Sequence, residues 1–141
     1  MLSKSIIIVK SKCMEQKYIV GDLVIYTSLL KEPVAEICEV RETSYLIRFM
    51  NGNFAKVTSK EIKPIPLTKE ILEKNGWKKS KINDCEYFYY KDGLFLTYTL
   101  KDDKFWFDDF DYSSSICVEL PYVHSLQHLL FGLGLNHEME V

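Results

Sequence analysis

The chain has 141 residues, 47% hydrophobic and 27% charged, proportions that exclude a disordered or collagen-like chain. A chain of this size buries about two thirds of its surface on folding, so its core requires neither metal nor disulfide. Eighteen basic against twenty acidic residues leave a formal net charge of −2, which excludes the strong basic excess of a non-specific nucleic-acid or anionic-membrane binder.

Charge is unevenly spread. Residues 1–64 carry ten Lys/Arg against seven Asp/Glu, and residues 65–141 carry eight against thirteen, so only the first half is suited to a phosphate backbone. Cys13, Cys38, Cys85 and Cys117 include no pair at the two-residue spacing of a zinc site. Cys38 and Cys117 lie in apolar stretches where a thiol packs as a small hydrophobe, and a reduced, cytoplasmic setting is expected. The apolar run Ile6–Val9 is too short for a membrane span or a signal-peptide core, so no membrane partner is expected.

In chain order, Leu23–Thr27, Val34–Val40 and Tyr45–Met50 read as strands. Asn51-Gly52 supplies a hairpin turn, and Phe54–Thr58 returns as the fourth strand. One helical turn at Ser59-Lys60-Glu61 and a short strand at Ile62–Ile65 complete the strand order of an SH3-like small β-barrel. Lys63-Pro64-Ile65-Pro66 stiffens the boundary. Beyond it Thr68 caps a helix that Leu67 and Leu72 staple and Asn75-Gly76 ends. Aromatic-rich strands at Glu86–Tyr90, Leu94–Leu100 and Lys104–Phe107, then Ser115–Leu120, form an antiparallel β-meander. Pro121 opens a last helix, Tyr122–Leu133, whose stripe of Val123, Leu126, Leu129, Leu130 and Leu133 is expected to cover that meander. The fold class predicted is α+β: an SH3-like barrel over residues 1–65, then an α-β-β-β-β-α unit over residues 66–141.

Chemistry-bearing patterns are sparse. There is no glycine-rich phosphate loop and no nucleophile elbow, so no catalytic residue, metal or cofactor is assigned. His124 and His128 share one helix face at the spacing of paired metal ligands, but Ser125 stands where a metalloprotease places its Glu. With the acidic run Asp102, Asp103, Asp108, Asp109 and Asp111 they carry the weakest alternative, a metal-dependent hydrolase. The acidic run lacks the alternating ligands of a calcium loop and reads as solvated turns. Tyr26, Tyr45, Phe49 and Phe54 could line an aromatic groove of the barrel, and Trp106 could sit on an open face of the meander; the plainer reading of such residues is core packing. Arg41, Arg48, Lys56, Lys60 and Lys63 would form a nucleic-acid surface only if they gathered on one barrel face.

Two stretches, KPIPLTKEILEKNGW (63–77) and YVHSLQHLLFGL (122–133), resemble a family of uncharacterised bacterial proteins, some borne by phages and mobile elements. In that family a proline-flanked IPLT opens one helix and YVHQLQN forms the closing helix; Ser125 and His128 replace its Gln and Asn here. The resemblance implies a shared fold with an SH3-like N-terminal segment and a prokaryotic cytosolic setting, without an activity. The function expected is non-enzymatic binding through protein contacts or self-association, with a nucleic-acid accessory role as the alternative.

Overall fold

A computed structural model describes residues 18–109 and 116–141, so Cys13, the Ile6–Val9 run and Asp111 lie outside the described residues. Among those residues the protein is α+β, with two antiparallel five-stranded sheets and two α-helices. Its contacts separate residues 18–66 together with Tyr122–Met139 from residues Leu67–Pro121.

The first unit contains β1 (Leu23–Tyr26), β2 (Val34–Val40), β3 (Tyr45–Phe49), β4 (Phe54–Val57) and β5 (Ile62–Pro64), in the order β4-β3-β2-β1-β5. Alternation drives it: Val24, Ala35, Ile37, Ile47, Val57 and Ile62 form one buried cluster, because strand residues two apart share a face. The β3–β4 hairpin closes at Asn51-Gly52, where Gly52 takes φ +91° and its N–H donates to Phe49 O at 2.9 Å. A register shift between Ile37 and Glu39 leaves Cys38 as the extra residue of a β-bulge, which adds twist to the sheet.

The sheet does not close. β4 and β5 are its two edges and do not pair with each other, which corrects the expectation of a closed barrel. The physical reason lies in β5, which has three residues, one of them Pro64, and so offers few amides to a second neighbour. Between these edges a single 3-10 turn, Ser59–Glu61, is held by Glu61 Oε1 accepting from Thr58 N at 2.9 Å.

Helix α2 (Val123–Gly132) belongs to this same unit, not to the second sheet as its apolar stripe suggested. Val123, Leu126 and Leu130 are buried, whereas Leu133 is exposed. Gln127 fastens the helix: its Oε1 accepts from Leu23 N at 3.0 Å, and its Nε2 donates to Gly21 O at 2.9 Å and His137 O at 3.2 Å. The helix begins beside the end of β5, with Val123 N donating to Ile65 O at 2.8 Å.

The second unit contains α1 (Lys69–Lys74), β6 (Lys78–Lys81), β7 (Glu86–Lys91), β8 (Leu94–Thr99), β9 (Lys104–Asp109) and β10 (Ile116–Glu119), with strand order β10-β9-β8-β7-β6. Thr68 Oγ1 caps α1 by accepting from Ile71 N at 3.2 Å. Asp92 and Gly93, at φ 51° and 80°, make the tight β7–β8 turn that two left-handed residues permit. Tyr89, Leu96, Tyr98 and Phe105 form the buried face of this sheet, and Leu72 and Trp77 are buried in the same unit. The opposite face carries Phe88, Tyr90, Phe95 and Trp106. Strand β6 is an addition to the meander read from the sequence. Its residues, Lys-Lys-Ser-Lys, are all exposed, so it has no buried face to generate an alternating pattern, and its lysines suit an edge strand.

Candidate functional site

At one end of the first sheet the β1–β2 loop and the β3–β4 hairpin enclose an open cleft of about 1050 Å³. One wall is Leu29, Leu30, Pro33 and Val34; the other is Phe49, Met50 and Phe54. Four of these side chains are presented to solvent, with Leu29 53%, Leu30 104%, Met50 70% and Phe54 60% exposed. Large apolar side chains gathered at that exposure are costly to leave in water, which is the signature of a contact surface. The polar rim is Ser28, Lys31, Asn51 and Asn53.

The aromatic residues singled out from the sequence do not form one cage. Phe49 and Phe54 line the cleft. Tyr26 packs edge-on against Phe49 at 5.4 Å, and Tyr45 packs edge-on against Tyr18 at 5.7 Å; both are part of the core margin. Trp106 belongs to the second sheet. The sequence reading missed Leu29, Leu30 and Met50. Their signal was an apolar pair inside a connection between strands, and an apolar residue directly before Asn51-Gly52, both where turn chemistry predicts polar residues.

Three of the five basic residues are already neutralised locally. Arg48 meets Glu36 at 2.6 Å, Lys63 meets Glu32 at 3.1 Å and Arg41 meets Glu39 at 3.3 Å. Arg48 and Lys56 do share the outer face of the sheet, since Phe54 lies opposite Arg48 and Lys56 opposite Leu46.

His124 and His128 take different roles on α2. His128 Nε2 lies 2.7 Å from Asp22 Oδ2, a carboxylate whose side chain is 2% exposed and which also accepts from Ile19 N at 2.8 Å. His124 is buried among rings, 5.0 Å from Tyr18 and stacked on Tyr122 at 5.6 Å. Its Nδ1 has no hydrogen-bond partner, and burial pushes its pKa down to about 4. Burial, with the neighbouring Tyr45, Asp22 and Tyr122, raises the Tyr18 hydroxyl to about 12. A histidine held neutral in an aromatic pocket and another held by a carboxylate make a packing device for α2. Among the described residues no group of three or more His, Cys, Asp or Glu is placed to hold a metal ion. In the acidic run, Asp103 accepts from the Tyr98 hydroxyl at 2.5 Å and ties down the β8–β9 turn.

No described helix is long and apolar enough to cross a membrane. The chain matches no family model, no curated protein and no solved structure.

Proposed function

We propose that the protein is a binding module that acts through protein contacts, and that the cleft between the β1–β2 loop and the β3–β4 hairpin takes an extended apolar peptide segment. The observation that carries this reading is the convergence of four exposed apolar side chains, Leu29, Leu30, Met50 and Phe54, on that one cleft. The strand order, with a 3-10 turn before the last strand, supports the kinship with SH3-like modules expected from the sequence. Such modules seat peptides on apolar surface beside their loops. The alternative of nucleic-acid binding is weakened by the ion pairs at Arg41, Arg48 and Lys63, which leave Lys56 and Lys60 as the unpaired members of that set.

Selection of a displayed random-peptide library against the purified protein tests the reading. The expected result is enrichment of apolar sequences that bind the protein and fail to bind a Leu30→Asp, Phe54→Asp double variant. Peptides that bind both proteins equally, or no enrichment at all, would overturn it.

A further inference from the structure

On the second sheet, the face opposite Tyr89 and Leu96 is paved with aromatic rings. Phe95 is 45% and Tyr90 37% exposed, and the Phe95 ring lies 5.9 Å from Phe88 and 6.0 Å from Tyr90. We infer that this face is a self-association surface, on which a second copy of the chain docks face to face about a two-fold axis running along β8. The inference is independent of the peptide cleft, which lies in the other unit.

The register arranges the side chains around β8 in rows that suit a second copy. One cross-strand row reads Glu86, Thr99, Lys104 from β7 to β9, and the next reads Phe88, Thr97, Trp106. In each row β8 supplies the middle residue and the outer two differ in kind. A two-fold axis along β8 exchanges the β7 and β9 positions of facing copies. It therefore lays Lys104 over Glu86 of the second copy, Trp106 over Phe88 and Thr97 over Thr97. Each charge pair and each aromatic pair occurs twice, which is the self-complementarity an isologous contact requires. Further out, Glu119 on β10 lies opposite Trp106, holds Lys104 of its own copy at 3.7 Å, and crosses to the β6 side, where Ser80 lies opposite Phe88. No like charges are brought together. Lys78 and Lys104 are offset by Glu86 and Glu119, so the face has no cationic excess to attract a phosphate backbone.

Size sets the strength. Five strands at about 4.8 Å spacing, each presenting about five residues, give a footprint of roughly 400 Å² per copy and roughly 800 Å² for the pair. That is below the size of a permanent interface, so the dimer is weak and reversible, forming in the micromolar range or above.

Sedimentation equilibrium of the full chain, from low micromolar to about 1 mM, reads the association directly. The wild type is expected to dimerise with rising concentration. Phe95→Asp, Glu86→Lys and Lys104→Glu are each expected to weaken the dimer at least tenfold, and the Glu86→Lys, Lys104→Glu double variant to recover it. The recovery separates a lost contact from a lost fold. A chain that stays monomeric throughout the range would overturn the proposal, as would a dimer indifferent to these changes or one abolished by Phe54→Asp in the other unit. Saturable binding of a labelled oligonucleotide that competes with self-association and is lost in Phe95→Asp would also overturn it, by assigning the face to nucleic acid.

Discussion

Acidification should loosen the first unit through His124. The residue is 7% exposed; its ring lies against Tyr18 and Tyr122 and carries a buried Nδ1 without a hydrogen-bond partner. Burial is the main cause that lowers its pKa from 6.5 to about 4, with Asp22 pulling upward and His128 adding to the depression. Because the folded form takes up the proton less readily than the unfolded chain, stability present above pH 6.5 is lost as the pH falls toward 4. It then changes no further through this group. The full interval corresponds to about 3 kcal/mol, and the part between pH 7 and pH 5 to about 2 kcal/mol. His124→Phe keeps an uncharged ring in the same pocket and removes the titrating group. Urea melts at pH 7 and pH 5 should show the wild type losing about 2 kcal/mol more than the variant over that range. Equal losses in the two proteins would refute the reasoning and place the ring where it can be protonated without cost.

Gln127→Leu leaves the Leu23 amide and the Gly21 and His137 carbonyls without their side-chain partner, and should cost about 3 kcal/mol in a urea melt at pH 7. Leu126→Ala, at a site with 0% exposure, should cost roughly 2–5 kcal/mol in the same assay. Tyr89→Phe removes a buried hydroxyl that has no partner, so its thermal midpoint should rise, with a gain of about 1 kcal/mol. Phe54→Ser, at an exposed position, should leave stability within about 0.5 kcal/mol while removing the binding of any peptide selected on the cleft; titration calorimetry beside a melt separates the two effects.

Legibility tracked burial. Nine of the ten strands among the described residues are legible in the sequence because one face of each meets a core. Alternation in Val34–Val40 and aromatic density in Glu86–Lys91 both record that half-buried state. Strand β6 escaped because Lys78–Lys81 buries nothing and is a strand only through its ladder to β7. The cleft was half legible. Phe49 and Phe54 stood out as aromatic, whereas Leu29, Leu30 and Met50 looked like ordinary hydrophobes whose exposure only the loop and hairpin geometry discloses. Closure of the barrel was over-read, since strand order is a local property and edge pairing depends on how many amides the last strand retains.

The placement of α2 exposes what an amphipathic stripe can say. Val123, Leu126 and Leu130 establish that one side of the helix is buried, and burial is non-directional, so any apolar surface would satisfy them. Direction comes from the polar residues on the same side. Gln127 offers one acceptor and two donor hydrogens, and the structure uses them on Leu23, Gly21 and His137. His128 meets the buried carboxylate of Asp22, one residue from that same turn. A buried amide or carboxylate left unpaired would cost more than a modest shift in apolar packing could return, so these two side chains select the N-terminal sheet from among the surfaces that the leucines would accept. The segments that meet, Gly21–Leu23 and His124–His128, are about a hundred positions apart in the chain. Neither segment taken alone contains the other's hydrogen-bonding needs, which is why the stripe could be read from the sequence and its destination could not.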